Sequence, residues 1–467
     1  MRHLQKLEQR LYDHFGFSTF RKGQKETIAS LLNGNDTLTQ LPTGTGKSVC
    51  YQLTGLLLEG IVIIVTPLIS LMEDQVQKLR QQKIANVTYL NSQLTKEERY
   101  YILTHLAEYK FLFLSPEMLH QARLLQALKQ LPIALFVVDE AHCISQWGMD
   151  FRPEYRQLQS IKVTLGHPLT LALTASATPE VRNEIIELLF PEKYQTIVYS
   201  VDRPNIQLFV RQTEDKLTTL KEVLALGEGA TIIYCATRKK VEEVYQYLNE
   251  YYAVGYYHGG LTANERSSLQ QQFQTNQLQI LIATNAFGMG IDKSDIRFVI
   301  HYDLPDSIEN YIQEIGRAGR DGQESYAMLL YQSFDEKIHH FFQEKLHEEI
   351  DQLQWLLKQK EPERLLPKQE TLQTKWLREA KKNPEFVPML IKYQEVKQQK
   401  LLNMQAYIKE DECYRHVLLA YFGEDGSNVH PCCALDGATW PTTPRALFEK
   451  TAQLPWMSRL AEIFKED

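Results

Sequence analysis

Residues 43–48, TGTGKS, place two glycines, a lysine and a hydroxyl side chain where a strand-like stretch, DTLTQ (36–40), gives way to a helix-patterned run opening at Ser48. Backbone N–H groups and a helix N-terminus then converge on one point, where a phosphate belongs. Gly44 and Gly46 let the backbone come close without a Cβ, and Lys47 reaches the β and γ phosphates as a point charge. Ser48 offers its hydroxyl to magnesium, and Thr43 and Thr45 complete the cradle. The loop departs from the GxxxxGK[ST] pattern at Leu41, where the first glycine would stand, so a plain glycine turn before a helix stays open as the alternative.

A second signal answers the first. The apolar run Ile133–Val138 reads as a buried strand and ends in Asp139 and Glu140, at the carboxyl end of a strand, where open α/β sheets bind their ligands. Two adjacent carboxylates there need a cation: Asp139 would hold magnesium, while Glu140 would orient and deprotonate the water that attacks a phosphoryl group. By themselves they could equally cap the next helix; beside Lys47 that becomes the lesser reading.

Further along, QEIGRAGRDG (313–322) sets Arg317 and Arg320 three apart beside glycines. Surface arginines are usually only solvated. A phosphoryl transition state spreads charge over its equatorial oxygens, however, and an inserted arginine is worth about 10³ to 10⁵ in rate. No motif in the first lobe supplies that charge, so ATP is expected in a cleft between two lobes, with hydrolysis and lobe closure forming one coupled event.

The elements that must position these groups follow from composition and pattern. At 467 residues the chain is long enough for about three units of roughly 150 residues each. Its 43% hydrophobic and 23% charged residues are those of a globular protein that buries several cores. The 51 Lys and Arg against 58 Asp and Glu leave a net charge of −7, which excludes a protein that coats nucleic acid by bulk charge; any polyanion site must be local. No apolar run approaches the ~18 residues of a membrane span, and the N-terminus lacks a secretory pattern. A cytoplasmic protein without a membrane partner, nucleoid-associated in a bacterium, is therefore expected. Six cysteines are too few for a disulfide scaffold, and Cys50, Cys143 and Cys235 read as reduced core thiols.

Short apolar runs at 61–65, 111–114, 135–138, 169–173, 231–234, 280–283 and 298–301 are flanked by helical patterns, the mark of parallel strands buried in α/β layers. SVDRPN (200–205) stops regular structure and divides two lobes, 1–200 and 201–340. Long amphipathic helices then make a third, mostly helical region, 341–467, whose end from Arg445 has no assigned role.

Taken in order, FGFSTFRKGQ (15–24), PTGTGKS (42–48), TPLISLMEDQ (66–75), LSPE (114–117), DEAHCISQWGMDFRPEY (139–155), TASAT (174–178), DRPN (202–205), ATNAFGMGIDKSD (283–295) and QEIGRAGRDG resemble the RecQ-type DNA helicases. These are superfamily-two motors with two RecA-like lobes, and the match runs from about Leu11 to Phe422. The resemblance implies an ATP-hydrolysing enzyme that unwinds duplex DNA 3′ to 5′, in repair or recombination. It acts on single-stranded and forked DNA, as a monomer, with a single-strand-binding protein or other repair proteins as candidate partners. It further implies that Phe17 stacks on adenine while Arg21 and Gln24 read its edge, and that Gln313 joins the interlobe contacts.

The loop after the carboxylates is the most family-specific stretch. Trp147, Phe151 and Arg152 can stack on bases, worth ~1 to 3 kcal/mol each, and for Trp147 and Phe151 plugging a core is the plainer reading. Met149 stands where many family members carry a His. TASAT is expected to link the lobes through Thr174 and Thr178, and residues 283–295 to meet backbone phosphates and ribose; tight packing and a turn are the plainer readings. His301, His339 and His340 read as surface residues.

The run 404–424 is similar to the RecQ zinc-binding helical subdomain, which ordinarily brings four cysteines, the last three as C-x-x-C-x-x-C. Here Cys413 is followed by His430, Pro431, Cys432 and Cys433. A Cys₃His zinc site and a degenerate site whose helices pack without metal are both open. The short stretch after Asp436 leaves no room for the winged-helix and terminal nucleic-acid domains of longer relatives. Two rivals remain for function: an RNA-directed helicase on the same lobes, and a DNA-stimulated ATPase or translocase that separates no strands.

Overall fold

The computed structural model describes residues 2–67, 69–145, 153–190, 192–287, 293–367, 369, 371–426 and 429–445. Among these, β1 (Asp36–Gln40), β2 (Ile61–Val65), β3 (Val87–Leu90), β4 (Phe111–Leu114), β5 (Ile133–Val138), β6 (Thr170–Thr174) and β7 (Tyr194–Val198) form a parallel sheet of order β3-β4-β2-β5-β6-β1-β7. A second parallel sheet, of order β10-β11-β9-β12-β13-β8, collects β8 (Ile206–Gln212), β9 (Ala230–Tyr234), β10 (Val254–Tyr257), β11 (Ile280–Ala283), β12 (Ile296–His301) and β13 (Ser325–Tyr331). Parallel neighbours require crossover helices, and these cover the sheets, which is why β2, β5, β9 and β11 are apolar and buried along nearly their whole length.

The polarity of β1 has a physical reason. Thr39 Oγ1 lies 3.1 Å from Thr27 Oγ1, and Thr37 Oγ1 lies 2.9 Å from Ser30 Oγ, so the helix Gln24–Leu32 satisfies hydroxyls that would otherwise oppose a buried strand. Strands β3, β7, β8, β10 and β13 are not among the expected apolar runs. β3, β7, β8 and β10 lie at sheet edges, where one side of the ladder is unpaired and the residues are mixed. β13 opens with Ser325 and Tyr326, which blurs its apolar run.

Beyond the second sheet run the helices Lys337–Leu357, Leu372–Lys382, Phe386–Ile408 and Tyr414–Tyr421. Helix Phe386–Ile408 serves two cores. Its start, with Phe386 and Leu390, packs in a small cluster with Leu353 and Trp376. Its end, with Leu401, Met404 and Tyr407, enters the core of the second lobe together with Tyr414, Leu418 and Phe422. The chain then returns over that lobe: Leu208 N donates to Cys432 O at 3.1 Å, and Trp440 packs edge-on against Phe209 with ring centroids 5.3 Å apart, covering the free edge at β8. Arg445 ends this strap buried, donating from Nε to Gly227 O at 3.0 Å. No described helix is long and apolar enough to cross a membrane.

Two histidines correct the surface reading. His301 is buried and its Nε2 meets Glu314 Oε2 at 2.8 Å, and buried His339 reaches Leu304 O at 2.6 Å. Only His340 is exposed as expected. Both buried rings are held by polar partners that lie outside their own helix or strand, so local pattern does not reveal them.

Candidate nucleotide site between the lobes

The chain leaves β1 at Gln40, turns through the glycine loop and enters the helix Ser48–Leu57 with Lys47 at its N-cap. Gly44 and Gly46 have φ of 84° and 72°, the left-handed region that side chains resist. Close approach matters as well: a Cβ on Gly44 would sit 2.9 Å from Arg320 Cγ, and one on Gly46 would sit 3.1 Å from Gln24 Nε2.

Two expected adenine readers brace this loop. Gln24 Nε2 donates to Thr45 O at 2.8 Å and Gly46 O at 2.9 Å, and Arg21 Nη1 donates to Gly44 O. Both line the cavity, but their polar ends are spent on loop carbonyls. Phe17 stands half exposed at the same mouth. Thr43, Lys47 and Ser48 line the cavity, whereas Thr45 does not.

Asp139 closes β5, its backbone N bonded to Val65 O of β2 at 2.9 Å. Glu140 follows with φ 49°, a strained conformation of the kind that collects at functional sites. Its N–H donates to Asp139 Oδ1 at 3.0 Å. Burial, with the neighbouring charge of Glu140, pushes the Asp139 carboxyl up to about 7 against the opposing pull of Lys47. Such a group gains most from a hard cation, and the buried carboxylate beside a hydroxyl residue and a lysine is a donor set that fits magnesium carried by a triphosphate. Burial holds the His142 imidazole below its usual range against the opposing pull of Glu140, and its Nδ1 lies 3.1 Å from Thr174 Oγ1.

The second lobe completes the cleft. Helix Ile308–Ile315 carries Gln313, whose Nε2 donates to Ser176 Oγ at 2.9 Å and lies 3.3 Å from His142 Nε2. Lys47, Asp139, Glu140, Gln313, Arg317 and Arg320 line one cavity of about 550 Å³, within the size range of nucleotide and drug-sized ligands. Thr43 Oγ1 reaches across to Gly316 O at 3.0 Å.

The link expected of Thr174 and Thr178 is corrected. Thr174 faces His142 inside the first lobe, and Thr178 caps the helix Pro179–Leu189 by accepting from Val181 N at 3.4 Å. Ser176 between them makes the interlobe bond. Arg203 is the other residue that local pattern misses: it lies in the linker and donates to carbonyls on both sides of the cleft. Trp147, Phe151, Arg152 and Met149 lie outside the described residues, as do residues 288–292 of the loop expected to meet phosphates. Lys293, within the described end of that loop, is buried and donates to Asn276 Oδ1 at 2.6 Å.

A second cluster lies beside β8. Cys413 Sγ stands 3.4 Å from Cys432 Sγ and 3.7 Å from Cys433 Sγ, and with Asp436 these donors all fall within 4.8 Å of one another. Thiol separations near 3.7 Å suit tetrahedral zinc, for which Zn–S is about 2.3 Å. The carboxylate that falls with the three thiols is that of Asp436, and His430 is not in this group. His430 is exposed and its Nδ1 meets Asp436 Oδ2 at 2.8 Å, where it can orient the carboxylate from outside. Asp436 Oδ1 accepts both Cys432 N at 2.9 Å and Cys433 N at 2.7 Å, a tight turn that brings the two adjacent thiols to Cys413.

Family models match in the same order: "DEAD/DEAH box helicase" over residues 21–185, "Helicase conserved C-terminal domain" over 215–322 and "RecQ zinc-binding" over 371–435. The Bacillus subtilis protein named "Probable ATP-dependent DNA helicase RecS" is 43% identical over 462 residues, covering 92% of this chain and 91% of that protein. The chain belongs to the RecQ family of ATP-dependent DNA helicases. Within that family, the B. subtilis RecQ helicase is 41% identical over 361 residues, and the match spans 76% of this chain but 61% of the longer relative. The Mycobacterium smegmatis helicase Lhr, solved with single-stranded DNA and AMP-PNP, superposes with a TM-score of 0.58 over 69% of this chain and 47% of its own, at 20% identity, which shows the shared two-lobed fold. Membership in the RecQ family brings ATP with a divalent metal as the energy source.

Proposed function

We propose that this RecQ-family helicase hydrolyses ATP in the interlobe cavity and converts each closure of the cleft into 3′ to 5′ movement along one DNA strand, parting the duplex ahead of it. Lys47 and the glycine loop grip the β and γ phosphates, Phe17 stacks on adenine, and Arg21 and Gln24 exchange loop carbonyls for its edge. Asp139 and Ser48 would hold magnesium, which when bound neutralises phosphate charge. Glu140 accepts a proton from the water that attacks the γ phosphorus, and Arg317 and Arg320 offset the charge that develops on its oxygens before ADP departs. Gln313 reports closure through Ser176. Trp147, Phe151 and Arg152 are assigned the strand contact, and Cys413, Cys432, Cys433 and Asp436 the structural zinc. The working units are the lobes 1–200 and 201–340 and the helical region 341–467.

What carries this reading is the presence of Arg317, Arg320 and Gln313 on the wall opposite Lys47 and Asp139 in one cavity. The test is strand release from forked duplexes with 3′ or 5′ tails, with Lys47→Ala as the inactive control. Release from 3′-tailed forks alone is expected. ATP hydrolysis without strand release would leave a translocase, and stronger stimulation by RNA than by single-stranded DNA would redirect the substrate.

A further inference from the structure

The linker between the lobes grips both of them. Arg203 Nη1 donates to Thr43 O at 3.0 Å and to Gly316 O at 2.9 Å, while Nη2 donates to Ala318 O at 2.9 Å and Gly319 O at 2.7 Å. One planar fork thus holds four carbonyls, one on the phosphate cradle and three on the loop that carries Arg317 and Arg320. Asn205 fixes the far side of that loop by donating to Gly319 O at 2.9 Å and Gln323 O at 2.8 Å. The lobes cannot part without breaking either the bond to Thr43 or the three to the arginine loop.

The linker is itself held from the third region. Arg415, buried on the helix Tyr414–Tyr421, donates to Arg203 O at 3.0 Å and also to Asp202 Oδ1 and Ile206 O. Glu424 Oε1 accepts Val201 N at 2.9 Å. A parallel hold acts on the helix that carries Gln313: Tyr421 donates to Glu309 Oε1 at 2.9 Å, and Lys400 pairs with the same oxygen at 3.0 Å. Nucleotide cradle, arginine loop, linker and helical region therefore form one continuous set of hydrogen bonds.

We propose that Arg203 is a positioning residue for ATP hydrolysis, acting through Arg317 and Arg320, and that the C-terminal helical region tunes turnover through the hold of Arg415 on the linker. The inference rests on the interlobe cavity being the site of hydrolysis. Arg203 completes the site only in the closed arrangement, so it raises turnover without being needed to bind nucleotide.

The test uses the full chain and three readouts: DNA-stimulated kcat at saturating ATP, affinity for a fluorescent ADP analogue, and the thermal midpoint. Arg203→Lys keeps the charge but loses the fork, and kcat is expected to fall about tenfold or more, with affinity and midpoint near wild type. Arg203→Ala introduced into Arg317→Ala should add little further loss, because residues acting as one unit are not additive. Asp202→Asn, which weakens the hold of Arg415 at nearly unchanged shape, should lower kcat by a smaller factor. Wild-type kcat in Arg203→Lys, or losses that multiply in the double variant, would overturn the positioning role; wild-type kcat in Asp202→Asn would overturn the part given to Arg415. Normal turnover by both Arg317→Ala and Arg320→Ala would instead sink the reading of the cavity itself, whatever Arg203 does.

Discussion

Thr43 of the phosphate cradle and Gly316 of the arginine loop touch across the cleft: the threonine hydroxyl donates to the glycine carbonyl at 3.0 Å, and a Cβ on Gly316 would overlap that hydroxyl. No larger residue fits there with the lobes in this arrangement. Gly316→Ala is therefore expected to hold the cleft ajar, lowering kcat by about 10²-fold, the cost of a 1 Å misplacement of reacting groups. Nucleotide affinity and the thermal midpoint should stay near wild type. Steady-state ATP turnover checks it, and unchanged kcat would mean that this contact plays no part in hydrolysis.

The thiol cluster predicts a metal content. Elemental analysis of the purified chain should find close to one zinc, retained in His430→Ala and lost in Cys433→Ser, since the histidine lies outside the donor group that contains the cysteine. Removal of the metal by a chelator should lower the thermal midpoint. Equal loss of zinc in the two variants would return His430 to the ligand set.

Lys216 is almost fully buried, donates to Tyr302 O and pairs with Asp335 at the foot of the helical region, with Asp303 3.9 Å away. Replacing it with Met leaves two carboxylates without their cation, a loss of about 3–5 kcal/mol by the usual cost of breaking a buried pair. Chemical denaturation measures it, and a change below about 1 kcal/mol would show that the acids find other partners.

Asp306 predicts a dependence on pH. Burial alone would raise its carboxyl, but Lys397, His339 and hydrogen bonds from Asn310 and Ser307 hold it below the usual range. A depressed carboxylate stabilises the fold fully above the unfolded value and loses that contribution as pH falls through the folded value. The stability gap between wild type and Asp306→Asn should be constant above about pH 5 and shrink below about pH 4. A gap that stays unchanged down to about pH 2 would contradict the assignment.

The motor's chemistry is legible in the sequence because phosphate, cation and transition-state charge each demand particular residue types at short spacing. That is why Lys47, Asp139, Arg317 and Arg320 can be picked out before any fold is known. Ser176 and Arg203 are not legible, since their roles arise only when the lobes meet: Ser176 finds Gln313 across 137 positions of sequence. Thr174 and Thr178 look like equally good bridges until strand direction turns one inward and helix capping takes the other. For His301, the partly buried Glu314 carboxylate on the neighbouring helix decides what a strand-end position cannot. His430 is the natural partner of three thiols by residue type, but the turn held by Asp436 leaves it exposed and sets the carboxylate beside the sulfurs instead.

The most direct test of the account is DNA-stimulated ATP turnover by Arg317→Ala and Arg320→Ala, measured beside nucleotide affinity. In at least one of them kcat is expected to fall by about 10³ to 10⁵, while affinity changes only a few-fold, because these side chains act on the transition state. Turnover within about tenfold of wild type in both variants would contradict it, since the second lobe would then contribute nothing to the chemistry.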